Sequence, residues 1–169
     1  MANLNNRSPE IQQTESGVFD VWNALKKETG KRDVLLGFKV REIWFIRMGK
    51  NIGFEQDGNG EEFLRPVLIF KKFNKQLFWG IPLTKKEKEG AYYYTLPEMR
   101  GMNNTLILSQ LRLFDAKRLR YQIGVCRGEI FEEVVTRVKG IIDNREFETP
   151  AFAGEARRHL QMHLSKTKV

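Results

Sequence analysis

The sequence predicts a mainly β fold, a small barrel or half-barrel with flanking helices. Three observations carry this. Five or six short runs of β-formers recur between residues 43 and 125. A helical apolar stripe follows them. The length of 169 residues supports one core and leaves little room for two.

The chain divides into residues 1–40, a tail and helix; residues 41–142, the barrel body; and residues 143–169, a C-terminal tail. The first 16 residues are rich in Asn, Gln and Ser. Val18, Val21, Trp22 and Leu25 then recur at helical spacing, with Lys26 and Lys27 near the end and Gly30 just past it. This helix is expected to dock on the body through Trp22. Residues 43–46 form the first strand, and a long, flexible, glycine-bearing loop over 49–64 leads to a second at 66–70. A third runs from Leu77 to Thr84, two more cover 91–95 and 105–108, and 122–125 is a weaker sixth. Ile130, Phe131, Val134, Val135, Val138, Ile141 and Ile142 give the closing helix one apolar face. Beyond Asp143, Ala156, Leu160 and Leu164 suggest a second helix, either a docking segment or a frayed extension.

Lys and Arg number 29 against 21 Asp and Glu, a net charge of +8. Residues 1–30 contribute −1, residues 31–142 contribute +8, and residues 143–169 contribute +1. The excess therefore lies on the folded body, where it favours a polyanion or an acidic partner. Solvated lysines alone would give the same total.

One cysteine, Cys126, excludes a disulfide framework and any Cys-cluster zinc site. His159 and His163 both lie in the tail, without the glutamate that zinc proteases place between such a pair. The body has no histidine for acid–base work, and no metal or other cofactor is expected. No apolar stretch approaches ~18 residues, so no membrane span is expected. The N-terminus lacks the apolar core of a secretion signal, and the expected location is cytoplasmic.

Taken in order, Arg41-Glu42-Ile43-Trp44-Phe45, Gly53-Phe54-Glu55-Gln56, Arg65-Pro66-Val67-Leu68-Ile69, Ile81-Pro82-Leu83-Thr84 and the stretch from Leu108 to Leu119 resemble the MazF/PemK toxins of bacterial toxin–antitoxin pairs. Each piece alone is weak; together, in register over residues 41–142, they are specific. The resemblance implies an SH3-like small barrel (MazF/PemK/CcdB-like) that forms a homodimer. It implies metal-independent cleavage of single-stranded RNA at short specific sequences. It also implies an antitoxin that lays an acidic segment over the RNA groove.

Carried over by position, Arg65 and Thr84 are the catalytic pair. Phe54, Glu55, Gln56, Ser109 and Gln110 are candidates for RNA binding, and Glu55 is also a candidate to orient Arg65. The chemistry fits these residue types. If the RNA's own 2′-hydroxyl is the nucleophile, the protein must stabilise negative charge on a five-coordinate phosphorus. A permanently charged guanidinium forks onto two phosphate oxygens. A threonine hydroxyl is a poor general base and is better suited to donating a hydrogen bond. Phe54 is the best stacking candidate; Trp79 is expected in the core, and one or two of Tyr92, Tyr93 and Tyr94 must point outward. Where the family often has an aspartate, this chain has Ser109, so a variant mechanism using that carboxylate is not expected. Two other readings remain: a non-enzymatic toxin of the same fold that poisons DNA gyrase, and an inactive RNA-binding barrel. The first lacks the Arg-Pro strand and the Pro-Leu-Thr end seen here.

Overall fold

The computed structural model describes residues 15–33, 36–99 and 102–144. The predicted tail helix, with its two histidines, lies outside these residues. Helix α1 (Glu15–Gly30) precedes strands β1 (Glu42–Arg47), β2 (Leu64–Lys72), β3 (Leu77–Thr84), β4 (Tyr93–Met99), β5 (Met102–Ile107), β6 (Arg112–Asp115) and β7 (Leu119–Val125), and helix α2 (Gly128–Ile142) closes the order. All strand pairs are antiparallel, in the order β4-β5-β3-β2-β1-β7, with β6 on β3.

The branch at β3 makes the sheet barrel-like. Its first half, Leu77 to Gly80, pairs with β6, and its end, Leu83 and Thr84, pairs with β5. A turn of 3-10 helix at Ala116–Arg118 then carries the chain from β6 into β7, beside β1 on the far side. Register shifts in the β2–β3 and β1–β7 pairings bend the ribbon. Gly80 sits where β2 and β6 converge: a Cβ there would fall 2.5 Å from Val67 Cγ1 and 3.0 Å from Phe114 Cδ2.

Both faces of the central strands are buried, which is why they read as continuous apolar runs rather than alternating ones. On one face Ile43, Leu68, Ile81, Leu83 and Leu106 pack under Phe131, Val134 and Val138 of α2. On the other, Trp44, Ile46, Val67, Ile69, Phe78, Phe114 and Leu119 fill the barrel with Phe38. Each such side chain contributes about 1.5–3 kcal/mol.

Three expectations are corrected. β6 is a seventh strand; only Phe114 of its four residues is buried, so it carries no apolar run. The strand expected at 91–95 starts at Tyr93 and continues through Pro97, which an edge strand tolerates. Ile142, counted in the α2 stripe, points outward and is 68% exposed. Among the described residues no helix is long and apolar enough to cross a membrane.

Candidate active site

Arg65 is the second residue of β2, and its side chain is turned under the loop that precedes that strand. Its Nε donates to the carbonyl of Asp57 in the loop, and its Nη1 donates to the carbonyl of Leu83 at 3.0 Å. Leu83 immediately precedes Thr84. The β2–β3 pairing reaches Val67 opposite Pro82; beyond it Leu83 and Thr84 pair with Leu106 and Thr105 of β5, while Arg65 pairs with Ile46 of β1. The Arg65 side chain itself therefore reaches the backbone beside Thr84, a residue 19 positions away in sequence. Burial pushes the Arg65 guanidinium below its ordinary pKa, with Asp57 opposing, and the group stays charged. Thr84 is half-buried at the end of β3, and its Oγ1 accepts from the Lys86 amide at 3.3 Å. A hydroxyl that accepts one bond keeps its proton to donate. Lys85, Lys86 and Lys88 follow it on the exposed connection to β4.

The loop over 49–63 is internally bonded, not the flexible span that its glycines suggest. Its ends are closed by Met48 and Gly49 amides donating to the Phe63 carbonyl at 2.9 and 3.4 Å. The Gly58 amide donates to the Gly49 carbonyl at 2.8 Å. Asp57 is the hub: its carboxylate accepts from Lys50 Nζ and from the Asn51 amide, each at 2.6 Å. Its carbonyl meanwhile holds Arg65.

Gln110, on a 3-10 turn after β5, clamps the loop tip. Its Oε1 accepts from the Gln56 amide at 3.4 Å, and its Nε2 donates to the Phe54 carbonyl at 3.2 Å. Of the expected RNA contacts, Phe54, Glu55, Gln56 and Gln110 thus gather at one place, and exposed Ser109 adjoins them. Phe54 is 99% exposed at the tip. Glu55 does not orient Arg65; it faces Arg112 at 3.9 Å, and Asp57 takes the expected orienting role.

Arg112 and Arg118 are cations that sequence reasoning did not single out, although both lie in the stretch from Leu108 to Leu119. Arg112 stacks over the Phe114 ring at 5.0 Å. Arg118 Nη1 donates to the carbonyls of Arg47 and Met48 at 2.9 and 3.2 Å. Burial pushes both guanidinium pKa values down; Glu55 and Asp57 oppose this at Arg112, and Asp115 opposes it at Arg118.

The other aromatic candidates separate. Trp79 is outside the core, 40% exposed, with its ring edge-on to Phe73 at 5.2 Å. Strand alternation puts Phe78 inward and therefore Trp79 outward. Tyr94 donates to Glu133 Oε2 on α2 at 2.5 Å, and burial together with that carboxylate pushes its pKa up. Lys88 lies over Tyr93, while Tyr92 remains exposed. Among the described residues no three His, Cys, Asp or Glu side chains are grouped to hold a metal ion.

The fold and site define a class: a small SH3-like barrel with a helix on one face and a charged arginine fixed beneath a polar loop. Residues 39–142 match the sequence model of the PemK-like, MazF-like toxins of type II toxin–antitoxin systems, and the chain belongs to that family. Among solved structures, the MazF crystal structure (Form-I) from Deinococcus radiodurans is similar at 18% identity and a TM-score of 0.50, covering 66% of this chain and 99% of that one. An endoribonuclease in complex with its cognate antitoxin, from a mycobacterial species, is 8% identical, with a TM-score of 0.49 and coverage of 66% and 100%. The Mycobacterium tuberculosis toxin MazF-mt6 is 14% identical, with a TM-score of 0.47 and coverage of 63% and 100%. No curated protein sequence matches the chain.

Proposed function

We propose that this toxin is a sequence-specific, metal-independent endoribonuclease that cleaves single-stranded RNA in the cytoplasm. The observation that carries the reading is the buried Arg65 guanidinium, fixed on the carbonyl next to Thr84, where the exposed Lys85, Lys86 and Lys88 follow. In this mechanism the RNA 2′-hydroxyl attacks the adjacent phosphorus. The new P–O2′ bond forms as the P–O5′ bond breaks, leaving a 2′,3′-cyclic phosphate and a 5′-hydroxyl that takes up the proton. Arg65 stabilises the charge that gathers on the phosphorane oxygens, and Thr84 donates to one of them. Such preorganised charge needs no reorganisation during the reaction, and one donor is worth ~2.7–4 kcal/mol. Phe54 offers an open ring for a base, while Glu55, Gln56 and Ser109 line its approach.

The same cationic edge suits an antitoxin. An acidic, partly disordered segment would neutralise it and exclude RNA, because both ligands use one field. A homodimer is the assembly proposed for the active toxin.

The test is cleavage of a long single-stranded RNA by purified protein in excess chelator, with end groups determined. Cyclic-phosphate and 5′-hydroxyl ends, lost in Arg65→Ala, support the mechanism. Equal cleavage by Arg65→Ala, or inhibition of gyrase supercoiling without any RNA cleavage, rejects it.

A further inference from the structure

Helix α1 precedes the family match, which begins at residue 39, yet it grips the stem of the site loop. Trp22, 8% exposed, lays its indole on Gly49 so closely that a Cβ at Gly49 would fall 2.3 Å from Trp22 Cζ2. Its ring also meets Phe63, at the other end of the loop, at 5.7 Å, and Arg118 lies over it at 5.7 Å. One indole therefore touches both ends of the loop. A second tie runs through Arg47, 4% exposed at the end of β1. Its Nη1 donates to Glu28 Oε1 at 2.9 Å and to Thr29 Oγ1 at 3.0 Å, both on α1; its Nη2 donates to Glu62 of the loop at 3.0 Å. Arg120 binds the same Glu62 oxygen at 2.7 Å. The C-terminal end of α1 is in turn fixed to the barrel: Lys117 Nζ donates to the Gly30 carbonyl at 2.8 Å, and Arg32 donates to the carbonyls of Lys117 and Leu119.

We infer that α1 is a strap, and that Trp22 and Arg47 are positioning residues that hold the loop over 49–63, and through the Asp57 carbonyl hold Arg65, in the cleaving geometry. The inference rests on the nuclease reading for its catalytic consequence and on packing alone for its effect on the loop. The chain of contact is continuous: Trp22 sets Gly49 and Phe63, these close the loop, Gly58 is tied to Gly49, and the neighbouring Asp57 holds Nε of Arg65. Loss of the strap leaves the barrel strands paired, because their hydrogen bonds and the core under α2 do not involve α1.

The test uses the full chain and two readouts. Amide hydrogen exchange is followed in residues 49–63 and in β2 and β3, for wild type, Trp22→Ala, Trp22→Phe and Glu28→Gln; kcat and KM for RNA cleavage are measured alongside. In Trp22→Ala, exchange in the loop rises about tenfold with β2 and β3 unchanged, as for a local opening. The same variant loses about tenfold or more in kcat, the cost of a small misplacement at the reacting centre. Trp22→Phe restores most of both. Glu28→Gln, whose carboxylate is largely exposed, folds normally and shows a smaller change of the same sign. Unchanged loop exchange in the alanine variant, or raised exchange with unchanged kcat, overturns the inference. If wild type cleaves no RNA, the nuclease reading fails, and the exchange data still decide whether α1 straps the loop.

Discussion

Arg65 donates Nη1–H to the main-chain carbonyl of Leu83 at 3.0 Å, so a cation on one strand is fixed by the backbone of the next. With Nε held by the Asp57 carbonyl, the plane of the guanidinium is set from two sides. A lysine would keep the charge but would lack the two-sided grip and the fork. Arg65→Lys is therefore expected to lower kcat by about 10²-fold or more, within the range for losing one preorganised donor. Single-turnover cleavage with saturating enzyme measures it. Wild-type kcat in the lysine variant would remove geometry, as distinct from charge, from the account.

Thr84 differs from Arg65 in what it supplies. Its Oγ1 already accepts from the Lys86 amide, which leaves the hydroxyl proton as its contribution. Thr84→Ser is expected to keep most activity. Thr84→Val is expected to lose about 1.5–3 kcal/mol of transition-state stabilisation, roughly ten- to a hundredfold in kcat, as for a hydrogen bond to a charged group. Comparing kcat for the two variants checks this; equal kcat in Thr84→Val and wild type excludes a donor role.

Phe54 is 99% exposed at the loop tip and is attached by backbone only, through Gln110. Its removal is expected to leave the melting temperature almost unchanged, since a fully exposed side chain contributes within about ±0.5 kcal/mol. If it stacks on a base, Phe54→Ala weakens RNA binding by about 1–3 kcal/mol. Fluorescence anisotropy with a noncleavable 2′-deoxy substrate separates the two effects. Unaltered affinity would leave Phe54 without a role in binding.

Glu62 gives a pH dependence whose sign is fixed. The hydrogen bond from Arg47, aided by the charge of Arg120, holds its carboxyl below the usual value of 4.5. A carboxyl with a lowered folded-state pKa stabilises the fold above the unfolded-state pKa. That contribution is lost as pH falls below about 4.5 through the folded-state value. Stability is expected to decline on acidification through that window, and Glu62→Gln to decline less steeply there. Urea unfolding midpoints from about pH 6 to pH 3 test it; parallel profiles for the two proteins would show that Glu62 contributes nothing to the slope.

The fold was largely legible because its strongest signals are local. The stripe of Phe131, Val134 and Val138 is a period that one helix face imposes. Residues 67–69 and 80–83 are apolar because both faces of their strands are buried there. What failed was equally physical. β6 has a single inward side chain, Phe114, and takes its identity from the half of β3 it pairs with. Trp79 is apolar in type and outward in position, a matter of register that composition does not encode.

By itself, then, the sequence determined the class of fold, the basic body and the residue types of the site. Arg65 and Thr84 were marked by family resemblance, since nothing local distinguishes an arginine at the start of one strand or a threonine at the end of another. Tertiary structure alone decided that the Arg65 side chain reaches the Leu83 carbonyl beside Thr84 and that Asp57, not Glu55, steadies the guanidinium. It also decided that Trp22, at the far N-terminal side of the chain, closes the loop above them. These are contacts between residues distant in sequence, fixed by strand register and helix docking, and no window of neighbouring residues contains them.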